Sequence, residues 1–417
     1  MRIPRAVPRR VLSRAGGAAA LAVLLAVTAA PAAAGAPVRP HEWPLDQAHF
    51  RAEQVWSFSR GDGVTVAVVD SGVDAGHPDL AGRLLTGTDE VGDPADGGQL
   101  DASADSHGTA VAGIIAGTGA AENGQGMAGL APGARVLPVR VAADTAAEPA
   151  ALARGIVWAA DHGASVVNVS LGTQLPNPVL RKAVEYAQGK DVVVVAAAGN
   201  DGDGGNPEIY PASFPGVVSV SGSDEGGAFW RKSESGPHVT VAAPATGIYS
   251  TNNHGQYLVA DGTSYAAAYV SATLALVRAE HPNYTAGQAI RRLIDSTRDH
   301  RDRPDARTGY GLLDPLAAVG PVIAAPATDN PLFHRPAPEA AAAGGPSTAV
   351  TVGSAATGTA LAAAALVWWR RRAGRTRAAP VRPEPAATTA AARPGRPAPV
   401  ARAARAARAA RPKSGAR

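Results

Sequence analysis

Between residues 61 and about 318, runs of apolar, largely β-branched residues alternate with helix-patterned segments, and this alternation fixes the class of fold before any motif is read. The first run, Val64-Thr65-Val66-Ala67-Val68-Val69, is apolar on both faces, as befits a strand buried inside a parallel sheet. Similar runs recur at 135–141, 164–170, 192–198 and 217–221. Helical patterns lie between them at 107–116, 150–162 and 178–189, and two more follow at 264–281 and 285–297. The last opens on Thr285-Ala286-Gly287-Gln288, the spacing of a capping box. The expected architecture is three-layer α/β, a mainly parallel central sheet with helices on both faces. In such sheets active residues collect where strands end and helices begin. Asp70 ends the first run, and His107 and Ser264 each begin a helix.

Apolar residues at 46% supply the core, while aromatics at 5% leave Val, Ala, Leu and Ile to build it. The net charge of +4 hides a division. The 14 Lys and Arg after Trp369 and the five Arg before residue 15 belong to the termini, leaving about 20 basic against 34 acidic residues between them. An acidic body argues against nucleic acid as a partner. With no cysteine in the chain, thiol catalysis and Cys-based zinc sites are excluded, and a core of this size needs no disulfide.

Both ends point to a membrane. Arg2, Arg5, Arg9, Arg10 and Arg14 precede an uncharged run over 18–30 and small residues at 32–36, the three parts of a cleaved export signal spanning 1–35. Residues 36–60 form an N-terminal extension to the domain at 61–320. A Pro/Ala-rich linker over 321–346 leads to an uncharged stretch, 347–369, ending Leu366-Val367-Trp368-Trp369 and followed by Arg370-Arg371-Arg372. About 23 residues rising ~1.5 Å each can cross ~30 Å of hydrocarbon. Trp at the interface and Arg beyond it fit a single transmembrane helix with the cytoplasm on the Arg side. The tail, 370–417, reads as disordered and basic. The expected location is the cell membrane, single-pass, with the catalytic domain outside.

Asp70-Ser71-Gly72, His107-Gly108-Thr109, Gly262-Thr263-Ser264 and Asn200 each have an ordinary structural reading as a turn or a cap. Together they supply an acid, a base and a nucleophile for acyl transfer. Asp70-Ser71-Gly72-Val73-Asp74, His107-Gly108-Thr109-Ala110-Val111-Ala112-Gly113 and Gly262-Thr263-Ser264-Tyr265-Ala266-Ala267 resemble, in that order, the three catalytic motifs of the subtilisin family. The resemblance runs from about 64 to 314 and includes Asn168-Val169-Ser170-Leu171-Gly172 and Gly309-Tyr310-Gly311-Leu312-Leu313-Asp314. It implies a subtilisin-like fold and a serine endopeptidase with Asp70, His107 and Ser264 as triad. It likewise implies an oxyanion hole from the Asn200 side chain and the Ser264 N–H. By the same resemblance, Ser170, Leu171 and Gly172 with Ala196, Ala197 and Ala198 wall the substrate pocket. Glu208 could reach the pocket floor, although exposure in its loop is the preferred reading.

Within the family the chain is most similar to the mycosins, the membrane-anchored proteases of type VII secretion. His41-Glu42-Trp43-Pro44-Leu45-Asp46, the short extension and the C-terminal span followed by Arg carry that likeness. It implies a protein or peptide substrate, contact with lipid through the C-terminal helix, and components of a type VII secretion channel as partners. The alternative role is a structural scaffold of that complex with dispensable proteolysis. One departure stands just past the nucleophile, where Ala268 replaces the family's usual proline; alanine suits a helix too, so an adjusted rather than a lost site is expected. No cofactor is expected. Calcium, which many family members bind, has no legible site, the acidic 93–105 loop reading as solvated.

Overall fold

The computed structural model describes residues 38–101, 103–121, 126–321 and 326–334. Seven strands form one sheet: β1 (Thr65–Asp70), β2 (Thr88–Asp89), β3 (Arg135–Arg140), β4 (Val166–Val169), β5 (Val193–Ala197), β6 (Val218–Ser223) and β7 (Val239–Pro244). Their spatial order is β2-β3-β1-β4-β5-β6-β7, and every pairing is parallel. A second, antiparallel pair joins β8 (Ile248–Asn252) to β9 (Gln256–Ala260).

The strands are apolar on both faces because each face has its own core. Val66 and Val68 of β1, with Val193, Val195, Val218 and Val220, point to one side. There they meet α2 (His107–Ala116) and α5 (Thr263–Glu280). Ala67 and Val69, with Val139, Val167, Val194 and Ala196, point to the other. That side is closed by α3 (Pro149–Asp161) and α4 (Pro178–Gly189). These are the three layers and the parallel sheet that the patterning predicts. Helix α5 is buried from Thr263 to Val277, because it lies between the sheet and the remaining helices and is apolar nearly all round.

Three further helices complete the described fold: α1 (Ala52–Phe58), α6 (Ala286–Asp295) and α7 (Pro315–Val319). The expected capping box opens α6, with Gln288 N–H donating to Thr285 Oγ1 at 3.2 Å and Thr285 N–H to Gln288 Oε1 at 3.0 Å. Ahead of the sheet, Leu45, Phe50, Ala52 and Val55 are buried in the α2/α5 core. The export signal, the transmembrane segment at 347–369 and the basic tail lie outside the described residues, as does most of the linker. Among the described residues no helix is long and apolar enough to cross a membrane.

Candidate active site

The strand order puts β1 inside the sheet, with β3 on one side and β4 on the other, so the chain reverses its winding there. A crevice opens outside the strand ends at such a reversal. Asp70, the last residue of β1, lies under it and is wholly buried. Its Oδ1 accepts from the Ser71 N–H at 2.8 Å and from His107 Nδ1 at 2.7 Å. A carboxylate only accepts, so the neutral imidazole carries its proton on Nδ1 and leaves Nε2 as an acceptor. Burial pulls the His107 imidazole toward the neutral form, but the charge and hydrogen bond of Asp70 outweigh it and hold its pKa above the ordinary 6.5.

The start of α2 is pinned by a polar network that carries His107 with it. Asp101 is buried and accepts from Ser71 Oγ at 3.1 Å, Ser103 Oγ at 2.6 Å, Thr109 N–H at 3.0 Å and Thr109 Oγ1 at 2.6 Å. Ser71 Oγ in turn accepts the Gly108 N–H at 3.0 Å, and Ser103 Oγ accepts the His107 N–H at 3.2 Å. Gly108 packs directly on the Gly72 carbonyl, where a Cβ would overlap it. The Asp-Ser-Gly and His-Gly-Thr motifs are thus two halves of one close contact.

Ser264 is the second residue of α5, so its N–H is one of the first-turn amides that lack an intrahelical partner. The positive end of the helix dipole faces the site. Asn200 is fixed beside it: Oδ1 accepts from Thr263 N–H at 2.8 Å and from Thr263 Oγ1 at 2.9 Å. That pairing assigns the amide orientation and leaves Nδ2 as the donor for the cleft. The Ser264 hydroxyl donates to the Ser170 carbonyl at 3.2 Å, and no hydrogen bond joins it to His107. In a ligand-free site such links are commonly open, and rotation about one side-chain torsion redirects the hydroxyl.

His107, Asn200 and Ser264 line one cleft of about 740 Å³. Of the expected wall residues, Ser170, Leu171, Gly172 and Ala197 face it, while Ala196 and Ala198 are buried and absent from its lining. Strand pleating accounts for Ala196, which points with Val194 into the α3/α4 core. Glu208 is not at the floor; it is exposed and accepts from Tyr210 O–H at 2.7 Å. The carboxylate that does line the cleft from a buried position is Glu234, which sequence reasoning missed, along with Asp105, Asp201, Asp261 and Tyr265. The β9 residues Leu258 and Ala260 form a further wall. Alternation in Ile248-Tyr249-Ser250-Thr251 and the Asn253-His254-Gly255 turn were the signals that could have located that hairpin.

For calcium, two carboxylates of the 93–105 loop are already engaged. Asp101 holds the network above, and Asp93 caps a short turn through the Ala95 N–H at 2.9 Å. Among the described residues no three His, Asp or Glu side chains group as metal ligands.

Residues 61–311 match the sequence profile of the subtilase family. Thermitase of Thermoactinomyces vulgaris is 38% identical over 251 residues, covering 60% of this chain and 86% of thermitase. Mycosin-3 of Mycobacterium tuberculosis is 34% identical over 339 residues, covering 66% of this chain and 71% of mycosin-3. The crystal structure of MycP1 from the ESX-1 type VII secretion system is similar with a TM-score of 0.61 and 30% identity, over 72% of this chain and 92% of that one.

Proposed function

The chain belongs to the subtilase family and is a subtilisin-like serine protease similar to the mycosins, and from that premise we propose that Asp70, His107 and Ser264 are its catalytic triad. The observation that carries the assignment is the 2.7 Å bond from His107 Nδ1 to the buried Asp70, with Ser264 on the same cleft at the start of α5. Ser264 Oγ turns from the Ser170 carbonyl to His107 Nε2, gives up its proton there and attacks the scissile carbonyl carbon. The carbonyl oxygen becomes an oxyanion held by the Ser264 N–H and Asn200 Nδ2. His107 then passes the proton to the leaving amine, and water hydrolyses the acyl-enzyme by the same route. Asp70 orients the ring and stabilises its cationic form. A side-chain donor such as Asn200 is worth about 10²–10³ in turnover, a figure that comes from a member of this same family.

The finer reading is a membrane-anchored extracellular endopeptidase working beside a type VII secretion channel. The patterns over 1–35 and 347–369 and the similarity to mycosin-3 and MycP1 support it. Its domains are the extension at 36–60, the peptidase at 61–320, the linker at 321–346 and the tail at 370–417. Exchanging Ser264 for Ala tests the chemistry. Hydrolysis of a peptide library should fall by about 10⁶, as it does for the triad elsewhere in the family, with the fold unchanged by circular dichroism. If Ser264→Ala cleaves as the unaltered chain does, the triad is misassigned. If it abolishes cleavage but fully restores secretion to a deletion strain, the protein acts there as a scaffold.

A further inference from the structure

Glu234 is 1% exposed, yet it lines the cleft. Its Oε1 accepts the Asp201 N–H at 3.1 Å, and its own N–H donates to the Gly199 carbonyl at 3.1 Å, so it braces the turn that carries Asn200. The carboxylate lies flat against Gly199, whose φ of +118° and lack of a Cβ make that approach possible. Its other oxygen, Oε2, is buried and has no partner among the described residues. A buried carboxylate oxygen without a donor is costly to keep, and mutual pairing is the usual remedy. The surroundings match: Asp105, Asp201 and Asp261 also line the cleft, and no Lys or Arg among the described residues does. Burial, reinforced by the Asp201 charge, raises the Glu234 carboxyl to about 7 against the pull of its backbone donors, as expected of an acid without a counter-ion.

We propose that Glu234 is a specificity-determining residue, receiving the ammonium or guanidinium of a substrate Lys or Arg whose side chain enters the cleft beside Asn200. Apolar walls at Leu171, Ala197 and Ile209 suit the methylene stem of such a side chain, and the charge of the Glu234 carboxylate, with Asp201 and Asp261 on the same lining, suits its head. A metal ion fits less well, because no three candidate ligands group together among the described residues. The proposal rests on the protease reading for its substrate, but it concerns recognition and is testable without turnover.

The full-length Ser264→Ala chain, titrated calorimetrically with peptides differing only in Lys or norleucine at one position, isolates binding. The Lys peptide should bind roughly 10- to 100-fold tighter, the range of one charge-assisted hydrogen bond. Adding Glu234→Gln should bring that ratio close to one, since Gln keeps an acceptor for the Asp201 N–H but not the charge. Equal affinity for the two peptides, or a ratio that Glu234→Gln leaves unchanged, overturns the proposal. Should the Gln variant not fold, benzamidine against neutral benzamide on the unaltered chain gives the same answer: equal binding overturns it. A Lys preference in a protein that hydrolyses nothing would sink the triad assignment and leave the recognition site standing.

Discussion

The Asp70 carboxylate sets the protonation state of His107 against the pull of burial, and that competition has a measurable sign. As the proposed general base, His107 works only when neutral, so with its pKa held above 6.5 the acid limb of kcat/KM should lie above the ordinary imidazole value. Asp70→Asn removes the charge that raises it. We expect the limb to move to lower pH while maximal kcat falls by about 10⁴, checked by a pH–rate profile of both chains. A limb that stays in place would mean that Asp70 does not act on the base. At this scale most of the site was legible, because Asp70, His107, Asn200 and Ser264 sit in short, characteristic motifs. Glu234 was not, since Ser233-Glu234-Ser235 reads as a polar loop and only the packing under Gly199 buries it. At Ala268 the family's usual proline is replaced without interrupting α5, which runs on to Glu280. An alanine there leaves the helix that begins at Thr263 and carries Ser264 regular.

The elements that position the site are held as much by buried polar pairs as by apolar contact. Arg140 ends β3 and its Nη1 donates to Asp89 Oδ2 of β2 at 2.7 Å, with Asp89 wholly buried. Asp89 also accepts the Val91 and Gly92 N–H groups through Oδ1. Removing one partner strands the other charge, which costs about 3–5 kcal/mol. Asp89→Ala should therefore lower the unfolding free energy by that amount in denaturant titration; a loss below 1 kcal/mol would show that solvent reaches the pair. Patterning predicted β1, β3, β4, β5 and β6 to within one or two residues, because doubly covered strands are strongly apolar. It missed β2, which is two residues long, and β7, whose Ala242-Ala243-Pro244 is a weak strand signal. It also missed β8 and β9, where Val259 is 65% exposed and the apolar content marks one face only.

Over the whole molecule, the N-terminal extension acts as a strap across the α2/α5 side. Trp43 Nε1 donates to the Thr246 carbonyl at 3.2 Å, the Ala128 N–H to Glu42 Oε1 at 2.6 Å, and Trp56 Nε1 to the Leu130 carbonyl at 2.9 Å. Phe50 meets Tyr269 of α5 edge-on, and Arg51 pairs with Asp314 at 3.1 Å. The sequence marked this segment only as a short extension; the structure makes it part of the domain. Burying Leu45, Phe50 and Val55 contributes about 5 kcal/mol or more. A chain beginning at Gly61 should melt roughly 10 °C or more lower, read by thermal denaturation in the Ser264→Ala background. An unchanged Tm would mean the strap is ornamental.

The early place of β1 in the chain has a temporal side. The proposed acid is made at residue 70, the proposed base at 107, and the proposed nucleophile only at 264, at the head of a helix that must thread between sheet and outer helices before it is placed. No earlier length of nascent chain can hold the three together. Synthesis order itself therefore postpones assembly of the proposed triad until almost the entire domain has been made.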